Sequence, residues 1–161
     1  VLTATTSHNA LTLRNGESMH EKVLRRHYEY FKILLPKGQD LHIGVTAYGG
    51  DPDLYVSCKY NATQNDDGYQ SILAGHYDWR GWSMGNDVVT ITAAEKYTKC
   101  KNQNTVYAAV HGFEDSVFAI TALAGNDTIV ELEDGRPVQW IVEQYKYARF
   151  AVYTGGMSAF C

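Results

Sequence analysis

The chain has 161 residues, a formal net charge of −4 and a hydrophobic content of 45%. This length accommodates one well-packed domain and part of another. The acidic balance excludes the basic surface that nucleic acid or an anionic membrane requires, and no apolar run reaches the roughly 18 residues of a membrane-spanning helix.

Period-two alternation of apolar and polar residues predicts strands along most of the chain, separated by turn-forming Gly, Pro, Asn and Asp residues. A short helical turn is expected at 93–101. Many short strands without a βαβ rhythm predict an all-β fold, an antiparallel β-sandwich of jelly-roll-like form. The strands are predicted at Ala10–Arg14, Met19–Leu24, Glu29–Leu35, Leu41–Ala47, Asp53–Lys59, Ser71–Ala74, Val88–Ala93, Thr105–His111 and Val117–Leu123, and then at Ile129–Leu132, Val138–Glu143 and Tyr147–Tyr153.

The sequence repeats with an offset of 119 residues. Apolar positions coincide with apolar positions, and an Asn-Gly turn coincides with an Asp-Gly turn. Matching pairs include Leu11 and Val130, Gly16 and Gly135, Tyr28 and Tyr147, and Phe31 and Phe150. The offset predicts a complete unit at 9–125 and the opening strands of a second unit at 128–161.

Cysteines and glycosylation sequons favour an extracellular protein. We expect Cys58 and Cys100 to form a disulfide, which would close a loop worth roughly 4 kcal/mol on the chain-entropy estimate, although two unrelated buried thiols are the alternative. Cys161 remains as a free thiol or an intermolecular bridge. Asn61 and Asn126 each begin an N-x-[ST] sequon for N-linked glycans.

The partial second unit is too short to bury its own hydrophobic face, since chains below about 40 residues rarely fold unaided. Three arrangements follow: its strands dock on another copy of the protein, they belong to a longer tandem array, or they fold back on the first unit. In the first arrangement a head-to-tail contact would produce a ring or filament. The predicted interface consists of Val138, Trp140, Val142, Tyr147, Phe150 and Val152.

The segment Gly50–Ser57, with the core Asp-Pro-Asp-Leu-Tyr-Val, resembles the pre-peptidase C-terminal (PPC) β-sandwich family. Further blocks resemble the family in the same order, at Leu13–Gly16, Tyr28–Ile33, Val106–Gly112 and Ser116–Ile120. The resemblance covers about residues 9–123, and then the opening of another copy at 128–154. It implies an antiparallel sandwich of about eight strands with a non-catalytic role, such as an accessory module of a secreted protease, collagen or glycan contact, or a tandem repeat.

Chemically active motifs are weak. Gly81–Gly85 matches G-x-S-x-G, but a strand is predicted after it, whereas a nucleophile elbow leads into a helix, so Ser83 is not expected to be catalytic. The histidines and cysteines lack zinc-ligand spacing, and no cofactor is expected. Calcium is a minor alternative through the carboxylates of Asp51, Asp53, Asp66 and Asp67, which we interpret as turn caps.

Aromatic residues gather in one loop-rich segment, and Tyr77, Trp79 and Trp82 form a candidate contact loop for a sugar face or a protein. The alternative is that this segment is a half-buried plug over the end of the sandwich. The sequence therefore predicts a secreted or cell-surface, non-enzymatic structural or adhesive protein. Other copies of itself are the expected partners, in a filament or array. The alternative is a collagen-binding or glycan-binding accessory module of a secreted hydrolase.

Overall fold

The computed structural model describes residues 10–34, 37–59, 76–101, 103–125, 129–132, 135–138 and 149–152. Strands dominate these ranges, as the alternating pattern predicts. They are β1 (Leu11–Thr12), β2 (Ser18–Val23), β3 (Tyr28–Leu34), β4 (Leu41–Gly49), β5 (Pro52–Ser57), β6 (Trp79–Gly81), β7 (Asp87–Ile91), β8 (Thr105–Gly112), β9 (Ser116–Ala124), β10 (Ile129–Leu132) and β11 (Arg149–Val152).

Nine of these strands form two sheets, ordered β1-β3-β8-β5-β6 and β2-β9-β4-β7. Within them all neighbours are antiparallel except β1 and β3, which run parallel. The all-β sandwich is thus confirmed, while the expectation of purely antiparallel pairing is wrong at β1. The reason is that β2 crosses to the other sheet, so the chain re-enters the first sheet in its original direction.

The core lies between the inner faces of the two sheets. Phe31 on β3 and Phe118 on β9 are fully buried, and their rings meet edge to face with centroids 6.2 Å apart. Alternate residues of each strand point into this layer, as the pleat requires. The same core cluster includes Ile33, Ile43, Leu54, Val56, Val106, Val110 and Ile120.

Between β7 and β8 the chain forms a helix α1 (Ala93–Glu95), which continues into a π-helical turn (Lys96–Cys100). Thr92 caps α1: its side chain accepts a hydrogen bond from the Glu95 backbone N–H, and the Glu95 side chain accepts one from the Thr92 N–H. The expected helical turn at 93–101 is therefore confirmed. At its end, a disulfide joins Cys100 to Cys58, as predicted.

Other predicted elements differ from the structure. The short strand β6 is not predicted by the sequence pattern. Val138 lies outside any strand, although one is predicted to begin there. The predicted strand Ser71–Ala74 and residues 139–143 lie outside the described residues.

The strands β10 and β11 form a separate two-stranded parallel sheet. In the part of the chain that the structure describes, no helix is long and apolar enough to cross a membrane.

Candidate functional site

The outer face of the first sheet carries a cluster of tyrosines, which we call the tyrosine face. Strand register places its side chains in rows across β3, β8, β5 and β6. Tyr30 lies opposite Ala109, which lies opposite Tyr55, which in turn lies opposite Arg80. The members of the tyrosine face are Tyr28, Tyr30, Tyr55, Tyr77 and Tyr107.

The tyrosines are packed against one another rather than dispersed. The rings of Tyr28 and Tyr30 are nearly parallel, with centroids 6.1 Å apart, and those of Tyr55 and Tyr77 are 5.4 Å apart. Burial raises the pKa of Tyr30 and of Tyr55 to about 12. Both hydroxyls therefore remain neutral hydrogen-bonding groups at physiological pH.

One end of the tyrosine face holds a histidine and a carboxylate. Nδ1 of His111 lies 3.6 Å from Oδ2 of Asp53, and this buried nitrogen has no hydrogen-bond partner among the described residues. Burial raises the pKa of Asp53, and the neighbouring His111 opposes that rise. The ring of Tyr28 packs 4.6 Å from the ring of His111. This pair adds a titratable polar group to an otherwise aromatic surface.

The other end of the tyrosine face is marked by Arg80. Its guanidinium carbon lies 3.1 Å from the centroid of the Trp82 ring and 5.3 Å from that of Tyr77. Cation–π contacts of this kind hold an arginine and an aromatic ring together at a surface. Trp82 is 62% exposed, so one large aromatic side chain remains open to a ligand.

The predicted contact loop is divided by β6. Tyr77 and Trp82 both contact Arg80 on the outer side, whereas Trp79 packs against the core. Nε1 of Trp79 donates a hydrogen bond to Oε1 of Glu95, at 3.3 Å, and the Nζ of Lys99 lies 4.6 Å from its ring. Trp79 therefore supports the scaffold, and it does not belong to the exposed aromatic surface.

The G-x-S-x-G segment is held by carboxylates and leads into strand β7. Oδ1 of Asp87 accepts a hydrogen bond from the Ser83 N–H at 2.8 Å, and Oδ2 accepts one from the Leu54 N–H at 3.2 Å. Asp87 is 1% exposed, and its burial raises its pKa to about 6. Oδ1 of Asp51 accepts from the Gly85 N–H at 2.8 Å. The helix that a nucleophile elbow requires does not follow Ser83.

Four aspartates are the candidate ligands for the minor alternative of a calcium site. Asp51 is engaged with the Gly85 backbone and Asp53 faces His111, while Asp66 and Asp67 lie outside the described residues. Across the described ranges, no group of three or more His, Cys, Asp and Glu side chains is arranged to hold a metal ion.

The second candidate surface is the pair β10–β11, whose register reproduces that of β1–β3. Leu11 pairs with Phe31, and Val130 pairs with Phe150, so both partners are displaced by the 119 residues of the sequence repeat. The turn glycine that follows β1, Gly16, and its counterpart after β10, Gly135, both have positive φ, at 83° and 70°.

The two strands of this pair differ in burial. Val130 is completely buried, whereas all four residues of β11 are exposed. Phe150 is 45% exposed and Val152 is 62% exposed. Of the other residues in the predicted interface, Val138 is partly buried, and Trp140, Val142 and Tyr147 lie outside the described residues. Cys161, Asn61 and Asn126 also lie outside them.

Sequence reasoning missed most of the tyrosine face. Its residues stand at alternate positions of predicted strands, such as Tyr28 and Tyr30, or Tyr107 and His111. That spacing is a signal for one shared face. Which strands are neighbours was unknown, however, so the rows across the sheet could not be assembled.

No known protein family matches the sequence, and no curated protein matches it. Among solved structures, the chain is similar to the pre-peptidase C-terminal domain of collagenase from Bacillus anthracis. The identity is 13%, the TM-score is 0.45, and the match covers 71% of this chain and 92% of that one. It is also similar to PliG of Aeromonas hydrophila, a periplasmic inhibitor of g-type lysozyme. For PliG the identity is 9%, the TM-score is 0.41, and the match covers 66% of this chain and 83% of that one. The first of these structures is a domain of the family that the sequence resembles, and the two sheets of this chain form an all-β sandwich.

Proposed function

We propose that this protein is a secreted, non-enzymatic structural or adhesive module that self-assembles head-to-tail through its C-terminal strands. The observation that carries the proposal is the exposure of all four residues of β11 in a strand pair that repeats the register of β1–β3. A location outside the cytosol is supported by the Cys58–Cys100 disulfide, because disulfides persist mainly in oxidising compartments.

Strand β3 occupies the position in the first unit that corresponds to β11. In the complete unit, β3 pairs with β1 on one side and with β8 on the other, over the seven residues Tyr28–Leu34. Within the described ranges, β11 has one strand neighbour, β10. An exposed strand edge recruits another strand.

A second copy of this chain is the partner to which we assign this surface. Burying about half of the apolar surface of Phe150 and of Val152 would contribute on the order of 1 kcal/mol each, and the backbone of β11 would add its hydrogen bonds. The contact joins the C-terminal strands of one copy to a different surface of the next. It therefore propagates into a ring or a filament.

The test compares two charge substitutions in the full, oxidised chain. Phe150→Asp places a carboxylate in the proposed contact, and Phe113→Asp places one at a residue of similar exposure, 58%, in the turn between β8 and β9. Light scattering after size exclusion should show assemblies for the wild type and for Phe113→Asp, and single chains for Phe150→Asp. Equal assembly of both variants, or a wild type that stays monomeric at high concentration, would overturn the proposal.

The tyrosine face supports a second candidate function, a glycan-binding module. Flat aromatic rings with polar edges suit the faces of sugar rings, and Trp82 and Tyr77 flank the cation of Arg80. The double variant Tyr77→Ala, Trp82→Ala should lose saturable binding to an immobilised polysaccharide, and Phe113→Ala should retain it. Binding of the wild type to immobilised collagen alone would identify a protein fibre as the ligand instead.

A further inference from the structure

A cavity of about 280 Å³ lies on the side of the sandwich where the chain leaves β3 and enters β8. Three segments line it: the turn at Lys37 and Gly38, the helical stretch from Ala93 to Cys100, and the residues just before β8. We call it the lysine pocket, after Lys37, Lys96 and Lys101, which all line it. It is separate from the tyrosine face and from β10–β11, since it shares no residue with either.

The lysine pocket concentrates positive charge in a chain whose net charge is −4. Lys37 and Lys101 are exposed and form no ion pair with any described residue. Lys96 is 7% exposed, and Asp40 is the acid whose charge acts on it. The lining residues that the structure describes thus include three lysines and no acid, and Asp40 acts on one of those lysines. An anion is the ligand that this imbalance favours.

The remaining lining supplies hydrogen bonds and an aromatic ring. Gln103 and Asn104 contribute exposed amide side chains, which both donate and accept. Tyr97 is 84% exposed and stands at the rim. An inorganic ion needs only the charges, whereas a sugar ring also uses amides and an aromatic face. The volume lies just below the range of about 300–1,000 Å³ for small-molecule pockets, so it suits one monosaccharide unit.

Covalent and backbone constraints form this pocket in advance of any ligand. The disulfide to Cys58 fixes Cys100, which lines the pocket, and the Gln103 N–H donates a hydrogen bond to the Cys100 carbonyl at 2.8 Å. Between them, Lys101 is held at a φ of 42°, a left-handed conformation that is uncommon for lysine. A preformed site loses less conformational freedom on binding than a flexible one.

We infer that the lysine pocket binds an anionic sugar, a residue that carries a carboxylate or a sulfate group. The site is independent of the proposed self-assembly, because none of its lining residues lies in β10 or β11. Phe150→Asp should therefore prevent assembly without affecting sugar binding, and Lys37→Ala with Lys101→Ala should weaken sugar binding without affecting assembly.

The experiment is an amide chemical-shift titration of the full, oxidised chain. The probes are glucuronic acid and N-acetylglucosamine 6-sulfate, with neutral N-acetylglucosamine as the comparison. We expect at least one anionic sugar to shift the amides of 96–104 saturably, and the neutral sugar to bind at least tenfold more weakly. Raising the salt from 0.1 M to 1 M shortens the screening length from about 10 Å to about 3 Å, and should weaken the anionic complex.

Two double variants separate this pocket from general charge effects. Lys37→Ala with Lys101→Ala should weaken anionic sugar binding at least tenfold. Lys22→Ala with Lys32→Ala removes the same charge from strands β2 and β3, and should leave the binding unchanged. Response only to the sulfate or only to the carboxylate identifies the anionic group. Equal binding of the neutral sugar, equal loss in both double variants, or no saturable shift at 96–104 would overturn the inference.

Discussion

Asp87 should make the stability of this protein fall as pH rises from about 4 to about 6. The carboxyl is 1% exposed, and burial raises its pKa from 3.8 to about 6 in the folded chain. The unfolded chain therefore releases this proton more readily, so ionisation favours unfolding. The contribution of Asp87 to stability is greatest below the pKa of this group in the unfolded chain, and it is lost as the pH rises through its pKa in the folded chain. At about 1.4 kcal/mol per unit of pKa difference, this contribution to the free energy of unfolding decreases by about 3 kcal/mol in total.

The substitution Asp87→Asn isolates this contribution. An amide preserves the shape of the side chain but cannot ionise. Its oxygen can still accept from the Ser83 N–H, while its NH₂ group faces the Leu54 N–H, a cost that does not depend on pH. Other carboxyls with raised pKa values, such as Glu29 and Asp53, are present in both proteins, so their effects largely cancel in the difference.

The assay is guanidinium unfolding of both proteins at steps from pH 3.5 to pH 7. The free energy of unfolding of the wild type, minus that of Asp87→Asn, should decrease by about 3 kcal/mol over this range and be flat above pH 6.5. A difference that stays constant with pH would refute the reasoning. In that case the two backbone donors would fully compensate the buried charge.

Two further predictions concern close packing and the disulfide. Gly81→Ala should lower the free energy of unfolding by about 1–3 kcal/mol, since a Cβ there would lie 2.7 Å from the Cβ of Asp87. Gly49→Ala is the control, because a Cβ at that position would have nothing within 4 Å. It should change the free energy of unfolding by less than about 0.5 kcal/mol in the same denaturant assay. Replacing Cys58 and Cys100 with serine opens a loop of 42 residues and should cost about 4 kcal/mol. Thermal unfolding with and without reductant checks this, and an unchanged midpoint in the wild type would contradict it.

Strand positions were largely predictable because the alternation of buried and exposed residues is a local property. At β3, for example, Phe31 and Ile33 are buried while Tyr30 and Lys32 are partly exposed. The direction of pairing was not predictable, because it depends on which sheet each strand enters. The sequence pattern does not predict the short strand β6, because this strand is defined by tertiary contacts such as the pairing of Arg80 with Tyr55.

The candidate surfaces show the same limit. The sequence predicts one loop for Tyr77, Trp79 and Trp82, which are close in sequence. In the structure Trp79 is the first residue of strand β6 and packs against the core. The lysine pocket combines Lys37 with Lys101, which are far apart in the chain, and their proximity follows from the fold. The register that β1–β3 and β10–β11 share could be predicted from the sequence, because the repeat identifies equivalent positions in the two strand pairs.

The place of β9 in its sheet has a mechanical consequence. This strand lies between β2 and β4, pairing with six residues of β2 and with most of β4, and after Gly125 the chain proceeds to β10. Tension that enters the two sheets from the C-terminal strands would therefore reach β9 first, and its component along the strand axis would load both edges of β9. Because its hydrogen bonds run perpendicular to that pull on both edges, the strand would have to shear many bonds at once instead of opening them one after another. A fibre joined at β10–β11 would thus transmit load into a strand that is clamped on both sides.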